Sequence, residues 1–264
     1  NRATKLLASR QLGAAANGFN MFQANGQFGQ FGNVQALENR AYSNYNGLQV
    51  SLNKRFSDGL SFLVSYAYSK ALDNSSGPDT RFQNSGGGNL NGPQDPLNMD
   101  AEYGHSSFDI RHIFSSSVVY DLPFGQGRAI NLEGIADKIF GGFQLNLITS
   151  VRSGVPFNIT TNENGVRPNV SGDPEGKGDF GFNLSAFSAP STVFRNGRNI
   201  RIGSAARNLL HGPEFSSFDL SVLKNIPITS ISESFRLQLR FEFFNIFNRT
   251  NLGTPNANLN FDSN

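Results

Sequence analysis

A chain of 264 residues without a single cysteine holds no disulfide framework, no thiol nucleophile and no Cys-based metal site. Its net charge of +2 is too balanced to argue for nucleic acid as a partner. Charged residues make up 16% and hydrophobic ones 38%, and 28 glycines help fill the gap, a mixture that suits a β protein with long polar loops. No stretch approaches the ~18 uninterrupted apolar residues of a membrane helix, but a β-barrel needs none, because its strands carry a short alternating signal.

Residues 1–42 hold little periodic pattern and read as an irregular lead-in, with a Gly/Asn/Gln run from Asn17 to Asn33 punctuated by Phe19, Phe22, Phe28 and Phe31. Order begins at Tyr45. Leu48, Val50 and Leu52 alternate with Gln49, Ser51 and Asn53, and Ser57-Asp58-Gly59 is a hairpin signal. The return strand carries Leu60, Phe62, Val64, Tyr66 and Tyr68 on one face, with Leu63 the exception on the other. Residues 71–105 read as a long loop. A third strand is expected over Phe108–Leu122, broken by Pro123-Phe124-Gly125-Gln126-Gly127, and Ile130–Phe140 as a short amphipathic helix. Gly141-Gly142 opens a fourth strand in which Phe143, Leu145 and Leu147 alternate with Gln144 and Asn146. Gly154 and Pro156 bend it, with a resumption toward Thr160. Residues 161–214 read as the longest loop, Ser216–Ile226 as a fifth strand, and 249–264 as loop again.

The sixth segment, Phe235 to Asn248, is the clearest. Phe235, Leu237, Leu239, Phe241 and Phe243 share one parity, and Arg236, Gln238, Arg240 and Glu242 the other. A strand places these sets on opposite faces, whereas a helix would scatter the phenylalanines around its axis. The apolar face needs a partner: a second sheet in a water-soluble sandwich, or lipid in a membrane barrel. The connections favour the barrel. Residues 57–59 and 227–233 are short and 123–141 intermediate, while the lead-in, 71–105, 161–214 and the C-terminal segment are long. Up-and-down strands send successive connections to opposite ends of a sheet, so all long loops share one end, as in outer-membrane barrels. Tyr45, Tyr66 and Tyr68 sit at long-loop ends of their strands, and Phe56 and Tyr120 at short-loop ends, where interfacial rings belong.

Little points to bond chemistry. His105, His112 and His211 lie in no spaced metal pattern, and no G-x-S-x-G elbow exists. Gly125-Gln126-Gly127 lacks the third glycine of a dinucleotide site. Arg111-His112 reads as a polar anchor at a strand start. The loop carboxylates Asp173, Glu175 and Asp179, or Asp95, Asp100 and Glu102, could offer oxygen ligands to calcium but lack EF-hand spacing, so solvated loop charges are the expectation. The chain is expected to be no enzyme, with no cofactor and no metal.

S-N-Y-N-G-L-Q-V-S-L-N-K-R-F-S-D-G-L-S-F-L-V-S-Y-A-Y-S-K (43–70) resembles the barrel of TonB-dependent receptors, nearest the large Oar-like subgroup with a carboxypeptidase-regulatory-like N-terminal domain. D-I-R-H (109–112), Y-D-L-P-F-G-Q-G-R (120–128), G-G-F-Q-L (141–145), S-G-V-P-F (153–157), R-P-N-V-S-G-D-P (167–174), F-D-L-S-V-L-K-N (218–225) and R-F-E-F-F-N-I-F-N (240–248) continue the likeness in family order. It implies an all-β, antiparallel up-and-down transmembrane barrel segment, about six strands of a larger wall. The strands with their loops fill 43–248, and 249–264 is an external loop with the closing strand absent. It further implies uptake of large substrates of the siderophore, carbohydrate or peptide class across the outer membrane of a Gram-negative bacterium. The partners would be lipid, the receptor's own plug domain and the TonB complex. Sorted loops and resemblance together assign Leu48, Val50, Leu52, Phe62, Val64, Phe143, Leu145, Leu147, Phe235, Leu237, Leu239, Phe241 and Phe243 to lipid. Arg152, Arg236, Arg240 and Glu242 are expected to face the lumen, as structural ion pairs or as substrate contacts. A secreted or surface β-rich adhesion protein and a passive porin-like barrel remain the alternatives.

Overall fold

The computed structural model describes residues 40–76, 94, 98–162, 166–176, 181–195, 198–228 and 235–261. The lead-in up to residue 39, most of the loop from 77 to 97 and the turn at 229–234 lie outside the described residues. Six long strands form one sheet: β1 (Ser43–Ser57), β2 (Leu60–Asp73), β3 (His112–Asp121), β4 (Phe143–Arg152), β5 (Phe215–Pro227) and β6 (Arg236–Phe243). Their spatial order is their chain order, and every neighbouring pair is antiparallel. Asp58 and Gly59 both have positive φ, 52° and 77°, the conformation that a two-residue Asp-Gly hairpin turn requires.

Residues directly opposite each other in an antiparallel pair project to the same face, so the register defines the two faces. Leu52 opposes Val64, Val64 opposes Ser116, Ser116 opposes Thr149, and Thr149 opposes Phe218. One residue pair toward the short-turn end, Phe62, Val118, Leu147, Leu220 and Phe243 form a continuous row. The apolar sets predicted on separate strands therefore merge into one apolar face across the sheet. The opposite face is dominated by Ser, Asn, Gln and charged residues, with Tyr45, Leu63, Ile113 and Ile148 exposed among them.

Among the described residues, no layer packs over that apolar face. On the edge strands Leu48, Val50, Leu52, Leu237, Leu239, Phe241 and Phe243 are 42–60% exposed, while on β2 to β5 lateral neighbours leave the apolar residues half-buried. Among the described residues the buried hydrophobic ones are Ala71, Ile159, Ala186, Phe187, Ala205, Leu210 and Leu223, and none of them belongs to the apolar face. In a sandwich the core would lie directly beneath it. Here the hydrophobic core is Ile159, Phe187 and Leu210, packed with Phe157, Val170, Phe182, Leu209, Ala257 and Leu259, and it sits among the long connections.

The long connection after β4 is thus not structureless, as its Gly/Asn-rich composition suggested. It holds a hairpin of Ser191–Arg195 with Arg198–Ile202, and short pairs of Asn169–Val170 with Phe187–Ser188 and of Pro156–Phe157 with Leu210–His211. The expected resumption to Thr160 is realised as two-residue strands, Thr160–Thr161 pairing in parallel with Asn258–Leu259 of the C-terminal segment. These elements form a cap over the long-loop end of the sheet. Gly154 makes its base possible: a Cβ there would collide with the carbonyl of Gly212, the residue after the Leu210–His211 strand.

Other boundaries shift for local reasons. The sixth strand ends at Phe243 and not Asn248, because Phe244 breaks the alternation and Asn245 and Asn248 take positive φ near 48°. Phe247 then folds back, its ring 5.0 Å from Phe218. The third strand starts at His112, since 106–111 is a turn organised by Asp109. The predicted helix is α1, Gly134–Phe140, at the short-turn end. Tyr45 pairs with Ala71 and so stands on the polar face, while Tyr66 and Tyr68 stand on the apolar one.

Candidate functional site: an amphipathic wall with a charged cap

The apolar face is built to meet a solvent without hydrogen bonds. Its two polar anchors at the ends show how. At the long-loop end the Tyr66 hydroxyl is 2.8 Å from His112 Nδ1, and the Tyr68 ring lies 5.1 Å from the imidazole. His112 is thus the rim anchor its position suggested. At the short-turn end Lys224 opposes Phe143 and Leu239 on the apolar face. Its ammonium donates to the carbonyls of Ile139 (3.2 Å) and Gly141, around the C-terminus of α1, and lies 4.6 Å from the Phe143 ring centroid. A long cationic side chain reaching a helix C-terminus at the edge of an apolar surface is a snorkelling arrangement. At the same end of the sheet, on β1, Lys54 Nζ donates to Ser57 O.

The four predicted lumen residues all stand on the polar face, but not at one place. Arg240 and Glu242 are 3.6 Å apart and both exposed. Arg236 lies further toward the short-turn end, opposite Pro227. Arg152 sits at the opposite end, its guanidinium 4.9 Å from the Phe215 ring centroid. The Glu242 row crosses β4 at Asn146, six residues from Arg152, which is about 20 Å along a strand. These residues make a charged lining and do not converge on a common ligand position.

Convergence occurs instead in the cap. Arg167 makes a bidentate pair with Glu102, at 2.7 and 2.9 Å, and its Nε donates to Ala205 O. Arg207 Nε donates to Glu102 O, and its terminal nitrogens to Ser76 Oγ, Asp73 O and the Asp73 carboxylate. Gln94 closes the ring by accepting from Arg167 N–H and donating to Glu102 Oε1 and Gly203 O. The side chains of Glu102, Arg167, Asp73 and Arg207 are nearly fully buried. Glu102 is therefore neither a solvated loop charge nor free for calcium, because arginine has taken both its oxygens. Asp95 and Asp179 lie outside the described residues, and Asp173 accepts from the Glu175 N–H in a local turn. The only sequence signal for this network was the R-P-N-V-S-G-D-P segment beginning at Arg167. Its partners lie 65 residues or more away in the chain for Arg167–Glu102 and 134 for Arg207–Asp73.

Beside the network lies a second polar cluster, His105, Asp109 and His211. Asp109 is buried. Its Oδ1 accepts from Ala71 N–H at 2.7 Å and its Oδ2 is 2.8 Å from His105 Nδ1, with Arg111 Nη2 at 3.7 Å. The rings of His105 and His211 meet edge to face at 5.0 Å. Burial, and then His105, lower the pKa of His211 from its ordinary value, with Glu175 and Asp109 opposing.

An up-and-down antiparallel sheet with an uncovered apolar face, a polar reverse face and interfacial anchors at both ends is the wall of a transmembrane β-barrel. The chain belongs to the outer membrane beta barrel domain family, whose match spans residues 1–264. The protein is thus an outer-membrane protein whose sheet serves as barrel wall in contact with outer-membrane lipid. Searches of curated proteins and of solved structures each return no match.

Proposed function

We propose that this wall belongs to a TonB-dependent receptor of a Gram-negative bacterium, which takes up large siderophore, carbohydrate or peptide substrates. The observation that carries the reading is the ordered series of motifs from 43–70 to 240–248, now seen to fall on wall strands and on the cap. Two features of the structure agree with it. β1 and β6 do not pair with each other, so six strands leave both edges open among the described residues, as expected of part of a wide wall. The polar face carries Arg152, Arg236, Arg240 and Glu242, which cost little beside a wet lumen and can pair with a plug. In this reading the thirteen apolar residues from Leu48 to Phe243 assigned above meet lipid, and the cap meets substrate from outside. The segment contributes walls and loops to transport and performs no bond chemistry.

Planar-bilayer conductance of the protein purified from outer membranes tests this. A plugged receptor passes almost no ionic current until denaturant displaces its plug. A steadily open channel would instead indicate a passive porin-like barrel. Co-purification with the periplasmic domain of TonB gives the second arm, and its absence under energised conditions counts against the receptor reading.

A further inference from the structure

We propose that His105, Asp109 and His211 form a binding site for one divalent transition-metal ion of the zinc type, clasping the cap to the end of the wall. The three side chains come from two separate segments. His105 lies on a two-residue strand, Gly104–His105, that pairs with Leu72–Asp73 at the end of β2. Asp109 closes the turn that follows, four residues on, with its N–H donating to Ser106 O. His211 comes from the far end of the cap, on the strand that pairs with Pro156–Phe157. Asn208 fixes the two segments in place, its side chain donating to His105 O and its N–H to Asn158 Oδ1.

The ligand atoms available from the three residues lie within 4.8 Å of one another. Three donors at about 2.0–2.1 Å from a tetrahedral zinc stand about 3.3 Å apart, so the set closes by small ring rotations. The ion takes the place of the proton shared between His105 Nδ1 and Asp109 Oδ2, opening that 2.8 Å contact slightly and drawing His211 in. The donor set selects the metal. Two imidazoles with one carboxylate suit zinc and its transition-metal neighbours, whereas calcium and magnesium call for oxygen ligands throughout. Asp109 already has the outer support that metal ligands need, because Ala71 N–H holds its other oxygen. Among the described residues no hydrogen bond is made by the ring nitrogens of His211, which leaves them available. The fourth position is open to water or to an incoming donor.

The inference stands apart from the receptor reading, since it needs only the cap geometry. Its test is titration of the chelator-stripped, detergent-solubilised protein with Co2+, followed by visible absorption. The expected result is one equivalent bound with the intense bands of tetrahedral coordination, displaced by Zn2+ and not by Ca2+. His211→Gln, which removes only a half-buried ring, is expected to weaken Co2+ affinity at least about tenfold, and His105→Gln likewise. His112→Gln, outside the cluster, is expected to leave it unchanged. Near-ultraviolet circular dichroism reports whether each variant keeps the cap. Absence of tetrahedral cobalt bands in the native protein overturns the site. So does unchanged affinity in a folded His211→Gln, which would reduce the cluster to a hydrogen-bonded contact.

Discussion

At the scale of single residues, the cap depends on charges that have no water to fall back on. Glu102 and Arg167 satisfy each other through two parallel hydrogen bonds, and each is held further by backbone partners. Removing one partner leaves the other buried and uncompensated, which typically costs about 3–5 kcal/mol. Glu102→Ala is therefore expected to loosen the cap by that order, read as faster proteolysis within 161–214. Exchange of the pair for apolar residues, Glu102→Leu with Arg167→Met, is expected to recover much of the loss, because no orphaned charge remains. A double-mutant cycle on proteolysis rates checks both outcomes. Gly154 poses the opposite problem. A methyl group there meets the Gly212 carbonyl, so Gly154→Ala is expected to cost about 1–3 kcal/mol and to separate the Pro156–Phe157 and Leu210–His211 strands. Hydrogen exchange at Gly212 N–H, which donates to Val155 O, reads that directly.

At the scale of elements, the two faces of one strand pair should respond unequally to the same substitution. Leu147 lies in the middle of β4 on the apolar face, opposite Val118 and Leu220. Ser117, one residue from Val118, stands on the polar face opposite Leu63. Arginine at a lipid-facing midplane position costs about 2–4 kcal/mol, and facing a wet lumen it costs little. Leu147→Arg is expected to lower folding stability in lipid vesicles by that amount, while Ser117→Arg stays near neutral. Equal penalties would refute the assignment of faces. Helix α1 makes a related case. Ile135, Ile139 and Phe140 are 75%, 54% and 58% exposed on an element whose C-terminal carbonyls hold Lys224 at the edge of the apolar face. Lys224→Met is expected to free that end of the helix, seen as a loss of protection at the Gly141 amide, which donates to Asp137 O.

At the scale of the whole molecule, the open edges carry the consequence. A strand inside a membrane must have every N–H and C=O paired, so β1 and β6 need neighbours on their outer sides. In native outer membranes their amides are expected to exchange as slowly as those of β3, which has partners on both sides. Fast exchange confined to β1 and β6 would contradict a complete wall around this segment.

The period of two in Leu48–Leu52 and Phe235–Phe243, the Asp58-Gly59 turn and the alternation of long and short connections were enough to set the strands and their up-and-down order and to favour a membrane barrel. These signals are local, because side-chain alternation and turn conformation are properties of neighbouring residues. What covers the apolar face was not decided by alternation alone, since a sandwich and a barrel share the same pattern. The absence of buried hydrophobic side chains on that face among the described residues separated them. The cap was illegible for a related reason. Its polar composition reads as loop, and its order rests on contacts such as Asp73–Arg207 and His105–His211 that join residues more than a hundred positions apart. The periodic wall follows from the sequence by itself. The buried charges and the histidine cluster of the cap exist only because the tertiary fold desolvates distant segments together.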